Sequence, residues 1–509
     1  MVAKIHSMGL FGFEVFPVEV ETDLSSGLPA FDVVGLPDTA VKESRDRVRA
    51  AIRNCGFDFP IGRITINLAP ADKRKEGPMY DLPLLLSLLQ ASGQLDCCTA
   101  DAIFLGELSL SGEVRHTRGV LPMAVKAKAA GFSRLFVPEV NALEGAAIEG
   151  LEVYPVRSVP QLIAHLRGRE KIDAITPKKF EYIPDPTLDF ADVKGQAAVK
   201  RAMEIAASGG HSILLLGPPG SGKSMLARRL PSILPPMTFR EAIGATMIHS
   251  LAEELPDGSS LLNARPFRSP HHTISATGLS GGGSTPRPGE ISLAHNGVLF
   301  LDELPEFSVQ AMQILRQPME EGRITISRAS GHASFPCRFM FVAAMNPCPC
   351  GYFGHPTKPC TCSPKAVNRY LARISGPLRD RIDLHVEVSP VDFEQLSTTK
   401  KGESSAQIRE RVNAARKIQL DRFKDQKYTC NAKIPPSQLE EMCQVTSDAR
   451  NYMKQAFEFF GFSARSYSSV MKMARTIADL ERSDYVTPDH IAEAVQYRSM
   501  DRKFWQKLG

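Results

Sequence analysis

Residues 213–224 read ILLLGPPGSGKS, and this stretch decides how the middle of the chain folds. Its four consecutive apolar residues, Ile213–Leu216, predict a short buried strand. The next eight residues fit the phosphate-binding pattern GxxxxGK followed by Ser or Thr: Gly217, Pro218, Pro219, Gly220, Ser221, Gly222, Lys223 and Ser224. Met225–Leu230 can continue as a helix, and the strand–loop–helix order favours a P-loop over a glycine-rich turn with an incidental lysine.

The P-loop predicts ATP and Mg²⁺ as cofactors. Glycines let backbone N–H groups surround phosphate oxygens, and the N-terminus of the following helix attracts negative charge. We expect Lys223 to reach the β- and γ-phosphates and Ser224 to bind Mg²⁺.

Two further apolar stretches are followed by polar residues that complete such a site. Val298–Leu301 (VLFL) precedes Asp302 and Glu303, which predicts a metal ligand at Asp302 and a carboxylate near the attacking water at Glu303. Phe339–Ala344 (FMFVAA) predicts another buried strand, and Asn346 after it can hold the water or the γ-phosphate. A strand before an acidic turn is ordinary elsewhere, but about eighty residues after a P-loop it indicates nucleotide hydrolysis.

Length and composition limit the number of domains and the class of protein. The chain has 509 residues, which at about 150 per domain predicts about three to four domains. Apolar residues make up 43% and charged residues 23%, as in soluble globular proteins, and no apolar run approaches the roughly 18 residues of a membrane span. Ten cysteines in so long a chain are not a disulfide scaffold, so we expect a reducing cytoplasm. The net charge of +5 permits a polyanionic partner without requiring one.

Three unlike parts follow one another along the chain. The first carries strand and helix signals, such as the alternating strand Arg63–Leu68. We expect a domain at 1–168, a charged and proline-containing linker at 169–187, an α/β core at 188–395 and a mostly helical lid at 396–509. The predicted fold class is therefore α/β with a C-terminal helical part.

The motifs of the core resemble those of AAA+ ATPases, in which Asn346 takes the sensor 1 position. Three segments narrow the resemblance to the magnesium-chelatase-like subgroup: NGVLFLDELPEF at 296–307, EEGRITISRASG at 320–331 and SGPLRDRIDLHVEV at 375–388. Over nearly the whole chain, the sequence resembles the ComM/YifB family.

The resemblance implies two arginines that act on ATP. The arginine that this subgroup supplies in trans to a neighbouring subunit matches Arg381, and the sensor 2 arginine of the lid matches Arg465. A hexamer is implied as well, since an arginine acts in trans only within an assembly. A mobile cation at the γ-phosphate raises the rate by about 10³–10⁵. From the residues alone, each arginine can also be read as a surface ion-pair partner.

Residues 1–168 resemble the Lon-protease fold, which is ribosomal S5 domain 2-like. The resemblance rests on LAPADKRKEGPMYDLPLLLSLL at 68–89, GELSLSGEVRHTRGVLPMAVKAKAAG at 106–131 and LFVPEVNALEG at 135–145. Lon enzymes carry a serine directly after Gly-Pro and a lysine that activates it, but Met79 and Leu121 stand at those positions here. We expect no peptidase activity from this dyad, and no spacing supports Ser87 or Lys126 as substitutes. The retained fold is expected to help assemble the ring or hold DNA.

Four of the ten cysteines are clustered in the segment 346–364. They form two CxC pairs: Cys348, Cys350, Cys360 and Cys362. Two thiolate pairs can close a tetrahedral Zn²⁺ site, although CxC is tighter than the usual CxxC, and His355 is a possible substitute ligand. The alternative is an exposed proline-rich loop whose cysteines are incidental.

The candidate DNA-binding segments are short, because the chain has no basic tail and no long run of Lys and Arg. Residues 321–331 alternate like a hairpin with Arg323 and Arg328 near its ends, and in related helicases such a hairpin points into the central pore. The glycine-rich insert 265–290 carries five basic residues: Arg265, Arg268, His271, His272 and Arg287. Both segments suit sequence-independent phosphate contact, whereas the simpler interpretation of each is a solvated loop. Residues 73–75 (KRK) are a weaker candidate.

The nucleotide motifs predict a Mg²⁺-dependent ATPase. The family resemblance implies that it forms a ring and translocates on DNA. The resemblance implies a homo-oligomer that drives branch migration on single-stranded and branched DNA during natural transformation. The alternative is a chelatase-like ATPase that remodels a protein partner; the Lon-like segment, which the chelatase motor lacks, favours DNA. Met79 and Leu121 oppose an ATP-dependent protease, and the intact nucleotide motifs oppose a non-catalytic scaffold.

Overall fold

The computed structural model describes residues 2–505 apart from 178–179, 183–186, 256–257, 284–285, 329–330, 392–401 and 502–503. Within these residues the predicted fold class is confirmed, since two α/β units precede a helical part. The expected boundary at 395/396 lies outside the described residues, and so does part of the expected linker 169–187.

The N-terminal unit is built on a mixed sheet of seven strands. In order across the sheet they are Ala30–Val34, Arg63–Ala69, Glu14–Ser25, Ala3–Phe11, Ala102–Phe104, Arg134–Pro138 and Glu152–Val156. Glu14–Ser25 pairs antiparallel with both of its neighbours, and the other pairs are parallel. A small hairpin joins Glu107–Leu108 to Val114–Arg115. The helices are Thr39–Asn54, Asp81–Ala91, Val120–Ala129, Ala142–Gly145 and Val159–Leu166.

Local sequence explains the elements of this unit. Alternate residues of Arg63–Ala69 are buried, as the alternation of apolar residues predicted. The Asp38 carboxylate accepts a hydrogen bond at 2.8 Å from the Val41 N–H and so caps the helix Thr39–Asn54. The helix Asp81–Ala91 is apolar on nearly every side and lies in the core.

The middle unit is a five-stranded parallel sheet whose order brings the predicted motifs together. From edge to edge its strands are Phe267–Arg268, Val298–Leu301, Met340–Met345, Ile213–Leu216 and Leu384–Glu387. All neighbouring pairs are parallel, so the carboxyl ends of the strands share one edge. The P-loop, Asp302 and Asn346 follow three adjacent carboxyl ends. Arg381 instead precedes the strand Leu384–Glu387 and lies at the amino ends.

Helices cover this sheet, and two short ladders stand apart from it. The helices are Ala197–Gly209, Lys223–Ile233, Phe239–Leu251, Ala276–Ser280, Glu290–Leu293, Val309–Ile314, Arg316–Glu321, Pro364–Leu371 and Gly376–Arg379. The ladders are Gly281–Gly282 with Arg287–Pro288, and Arg323–Arg328 with Gly331–Pro336. The second ladder is the hairpin that the alternation at 321–331 predicted, and its return strand continues to Pro336.

The C-terminal part is helical and packs on the middle unit. Its helices are Ser405–Arg422, Leu439–Cys443, Ser447–Phe460, Ala464–Leu480 and Pro488–Asp501. Val470 and Leu215 belong to one hydrophobic core that spans the lid and one face of the sheet. Polar contacts join the same elements, because His211 lies 2.8 Å from Thr476 Oγ1 through Nε2 and 3.4 Å from Asp383 Oδ2 through Nδ1. None of the described helices combines the length and apolar composition needed to cross a bilayer.

The N-terminal unit contacts the middle unit through the hairpin and through a buried carboxylate. Phe13, in the turn after the first strand, packs against Phe335 of the hairpin with ring centroids 6.3 Å apart. The carboxylate of Glu144 accepts hydrogen bonds from the Ser250 hydroxyl and, at 2.8 Å, from the Leu121 N–H. Burial raises the pKa of Glu144, and these hydrogen bonds oppose the rise.

Candidate nucleotide-binding site

The P-loop runs from the buried strand Ile213–Leu216 to the helix Lys223–Ile233. Gly220 and Gly222 adopt φ values of +77° and +88°, a backbone region that favours glycine. At Gly217 an added Cβ would lie 2.3 Å from the backbone oxygen of Val388, so no side chain fits there. The first N–H groups of the helix have no intrahelical acceptor and can therefore bind an anion.

The side chain of Lys223 is buried under the loop. Its Nζ donates to the carbonyl oxygens of Gly217 and Pro218 at 2.8 and 2.9 Å, and to Asn346 Oδ1 at 3.1 Å. Burial lowers the pKa of Lys223, while the carboxylates that follow the acidic strand act in the opposite direction. Lys223 and Asn346 are thus in direct contact across 123 positions of sequence.

The acid pair lies beside the first turn of the P-loop helix. Ser224 donates its hydroxyl to Asp302 Oδ2 at 2.5 Å, so the two predicted Mg²⁺ ligands are adjacent. Hydroxyl and carboxylate oxygens suit this cation. Glu303 has φ of +52° and ψ of +46°, which is uncommon for a residue with a side chain and costs about 1–3 kcal/mol.

Arg381 and Arg465 lie together at the amino ends of the sheet, away from the P-loop of their own chain. Both contact one carboxylate oxygen, Glu320 Oε1, at 2.8 Å from Arg381 Nη2 and 2.6 Å from Arg465 Nη2. They line a cavity of about 650 Å³, to which Lys433 and Lys472 also contribute. The structure therefore brings the two implied arginines together but does not bring them to the nucleotide motifs of the same chain.

The four clustered cysteines converge on one point. The sulfur atoms of Cys348, Cys350, Cys360 and Cys362 all lie within 4.8 Å of one another. Cys348 Sγ is 3.3 Å from Cys350 Sγ and 3.7 Å from Cys360 Sγ. Four thiolates around Zn²⁺ at about 2.3 Å have sulfur atoms about 3.8 Å apart, so this donor set fits zinc.

The cysteine loop, residues 346–364, also packs against the P-loop. An added Cβ at Gly351 would lie 2.4 Å from Cδ of Pro219, so the two loops are in close contact. His355 is not one of the converging donors. Its Nδ1 instead accepts hydrogen bonds from the N–H groups of Thr357 and Lys358 at 3.2 and 3.0 Å.

Arg265, a predicted DNA contact, has a structural role instead. Its guanidinium pairs with Glu241 at 3.2 Å and donates to the carbonyl oxygens of Pro235 and Asn296, each at 2.7 Å. Only 14% of the side chain is exposed. Because its donors are occupied in the interior, we do not carry Arg265 into the proposed DNA surface.

The other basic candidates differ in how accessible they are. Arg268 is held by Glu290 and Glu254 at 2.7 and 2.8 Å and is largely buried. Arg323, at the base of the hairpin, is 66% exposed, and among the residues that the structure describes its one ion pair is with Glu321. The side chain of Arg328 lies outside the described residues. In the weaker candidate, residues 73–75, the lysine at 75 is buried and hydrogen-bonded to a backbone carbonyl.

The positions that match the Lon dyad are core positions. Met79 and Leu121 are 3% and 0% exposed. Ser87 is buried and hydrogen-bonded to Thr22 Oγ1 at 2.7 Å, whereas Lys126 is exposed on another helix. Neither residue is placed to form a substitute dyad with the other.

The sequence did not predict two contacts near the site. His272 Nδ1 lies 3.4 Å from Glu303 Oε2, although the sequence indicated the histidine only as part of a basic insert. Glu320 joins Arg381 to Arg465. Each contact links segments remote in the chain, so no local pattern signals it.

These features define an AAA+ protein: a P-loop, an acid pair and a polar residue after adjacent parallel strands, with a helical lid. Family models agree over most of the chain. Magnesium chelatase, subunit ChlI, matches residues 189–396, its C-terminal region matches 402–498, and a model described as subunit ChlI of Mg-chelatase matches 20–141. The model that matches 20–141 lies within the N-terminal unit and also describes a chelatase subunit. The presence of this unit therefore does not favour a DNA motor over a chelatase-like ATPase.

The chain belongs to the ComM/YifB family of magnesium-chelatase-like AAA+ proteins. The competence protein ComM of Haemophilus influenzae is 42% identical over 513 residues, which cover 100% of this chain and 99% of that protein. YifB of Salmonella typhimurium is 42% identical over 504 residues, 98% of each chain. The DNA replication licensing factor Mcm3 of Drosophila melanogaster is 29% identical over 142 residues, 27% of this chain and 14% of that protein.

Proposed function

We propose that the protein is a Mg²⁺-dependent ATP hydrolase. The observation that supports this most strongly is the convergence of Lys223, Ser224, Asp302, Glu303 and Asn346 from three adjacent strands. Lys223 and the P-loop N–H groups would hold the phosphates, and Ser224 with Asp302 would hold Mg²⁺, which would supply positive charge to offset that of the phosphates. Glu303 accepts the proton of the attacking water, and Asn346 orients that water or the γ-phosphate.

The two arginines act, in this proposal, on the nucleotide of a neighbouring subunit. Within one chain, the arginines and the P-loop lie at opposite ends of the paired strands Ile213–Leu216 and Leu384–Glu387. A strand of this length spans about 13 Å, at about 3.3 Å per residue. In the proposed head-to-tail ring, the amino-end face of one subunit lies against the carboxyl-end face of the next. We propose a hexamer, in which the γ-phosphate of the neighbour replaces Glu320 as the partner of Arg381 and Arg465.

DNA is the substrate that we propose for this motor, with branch migration on joined strands as its activity. ComM is named a competence protein and Mcm3 a DNA replication licensing factor, which supports nucleic acid as the partner. Arg323 on the hairpin offers an exposed cation for sequence-independent contact with phosphates. The activity would extend the joining of incoming DNA during natural transformation and recombination.

The cysteine cluster is proposed to hold structural zinc. Four thiolates close a tetrahedral site, and the N–H groups of Cys350 and Phe353, at 3.4 and 3.3 Å from sulfur, stabilise negative charge on the cluster. Protein purified without chelator should contain about one zinc per chain. Fewer than about one zinc per two chains would contradict the assignment.

A four-way DNA junction tests the motor directly. Purified protein with ATP and Mg²⁺ should separate the strands of a fluorescent junction, and the Glu303→Gln variant should bind the junction without separating it. Strand separation by both proteins would show that ATP hydrolysis is not the driving step.

The alternative is an ATPase that remodels a protein partner, as the family name magnesium chelatase allows. Steady ATP hydrolysis by the parent protein without strand separation would favour this alternative.

A further inference from the structure

We infer that a turn of the N-terminal unit, residues Gly12 and Phe13, positions the hairpin Arg323–Pro336. This role rests on the proposed DNA motor, because the hairpin carries the proposed contact with phosphate. It gives the N-terminal unit, which lacks the protease dyad, a part in the motor: the unit holds the DNA-binding surface in one orientation.

The hairpin has one buried apolar face and one exposed polar face. The buried face carries Ile324 opposite Phe335 and Ile326 opposite Ala333. The exposed face carries side chains that can donate hydrogen bonds to phosphate oxygens: Arg323, Thr325, Ser327, His332 and Ser334. The contacts that hold the apolar face therefore set the direction in which these donors point.

The turn contacts this apolar face directly. A Cβ added at Gly12 would lie 2.6 Å from Cβ of Ala333, so a larger side chain does not fit there. The ring of Phe13 lies edge-on to that of Phe335, with centroids 6.3 Å apart and planes at 68°. Phe13 packs against the apolar core of the N-terminal unit and also against the core to which the hairpin belongs. One side chain is therefore shared between the two units.

The turn is firmly attached to its own sheet. The strands Ala3–Phe11 and Glu14–Ser25 pair at nine consecutive positions, and Gly12 and Phe13 are the two residues between them. Gly12 adopts a φ of +59°, which favours glycine. Because a two-residue hairpin loop adopts one of a few defined turn types, the turn follows the N-terminal sheet and transmits its position to the hairpin.

Hydrogen–deuterium exchange of the full-length protein tests the contact. Phe13→Ala should speed exchange at residues 324–327 and 332–335 about tenfold or more, because the apolar face loses a packed ring. Exchange in the strand Met340–Met345 should not change. Phe13→Leu should restore most of the protection, since it refills the space. Phe132→Ala, at another ring packed on the N-terminal core, should leave the hairpin unchanged.

ATP hydrolysis with and without single-stranded DNA tests the coupling. Phe13→Ala should lower DNA-stimulated hydrolysis several-fold and leave basal hydrolysis within about 1.5-fold, because the nucleotide motifs are untouched. Gly12→Ala should act in the same direction, because its methyl group meets Ala333. Adding Ala333→Gly should reverse part of that loss, because the nearest remaining atom is then Cα at 3.7 Å.

Unchanged hairpin exchange in Phe13→Ala would overturn the positioning role, and so would faster exchange with full DNA stimulation. Equal loss of basal and DNA-stimulated hydrolysis would also overturn it, because general destabilisation would then explain the loss. Absence of DNA stimulation in the parent protein would instead overturn the proposed DNA substrate. Hairpin exchange would then decide by itself whether the turn holds the hairpin.

Discussion

The chemistry of the site depends on contacts between single residues that are far apart in the chain. Lys223 is held by the P-loop carbonyls and by Asn346, and Ser224 is held by Asp302. Burial disfavours the charged ammonium of Lys223 and lowers its pKa, so an anionic phosphate entering the site would stabilise the charged form. The residues act as one unit, so removal of one should alter the others.

Asn346→Ala should lower kcat about 10- to 100-fold and leave nucleotide affinity within about threefold, because a polar group at the reacting phosphate acts mainly in the transition state. Steady-state ATP hydrolysis and fluorescent-ADP binding measure the two effects. Asn413→Ala, at an exposed position of the lid, is the matched control. A normal kcat in Asn346→Ala would remove Asn346 from the reaction.

At the scale of elements, two segments outside the sheet extend the site. The hairpin Arg323–Pro336 leaves the end of helix Arg316–Glu321 and is braced by Phe13 of the N-terminal unit. The cysteine loop follows Asn346 and packs on Pro219. The cysteine loop is therefore in contact with the P-loop, whereas the hairpin continues from the helix that carries Glu320, the partner of Arg381 and Arg465.

Arg323→Ala should lower DNA-stimulated ATP hydrolysis several-fold and leave basal hydrolysis unchanged, because the proposed role of this exposed guanidinium is to bind the DNA backbone and not the nucleotide. The matched control is Arg63→Ala, another exposed arginine on the N-terminal sheet. Hydrolysis rates with and without single-stranded DNA, at two salt concentrations, give the measurement. Equal loss of both rates would argue against a pore role.

Cys360→Ser combined with Cys362→Ser should remove zinc and weaken fluorescent-ADP binding about tenfold, since the loop that contacts Pro219 loses its cross-link. Cys98→Ser, at an exposed cysteine outside the cluster, should change neither zinc content nor affinity. Loss of zinc with unchanged affinity would show that the loop does not support the P-loop.

At the scale of the whole molecule, the two ends of the parallel sheet carry the two sets of residues that the proposed reaction requires. The carboxyl ends hold the P-loop and the acid pair, and the amino ends hold Arg381, Arg465 and Glu320. Neither half reaches the other within a chain. Assembly would therefore gate hydrolysis.

Mixing two inactive variants tests this arrangement. Glu303→Gln and Arg381→Ala should each lose most ATP hydrolysis. An equal mixture should regain activity up to about a quarter of the parent value, because about one interface in four then joins an intact Glu303 to an intact Arg381. Activity that stays at the level of the separate variants would place Arg381 outside the neighbour's site.

The sequence by itself determined the P-loop, the acid pair, the helical C-terminal part and the family. Each depends on residues close together in the chain, where strand, loop and helix signals are read directly. The cysteine spacing likewise predicted the convergence that the structure shows, while the nature of the metal stays a prediction.

Only the tertiary structure decided which remote residues meet. Strand order placed His272 beside Glu303 and Arg381 beside Arg465, and helix packing buried Arg265 against Glu241. A charged residue in a loop has the same local sequence signature whether it faces solvent or an internal carboxylate. The difference is made by burial, because a desolvated guanidinium is stable only with its hydrogen bonds satisfied.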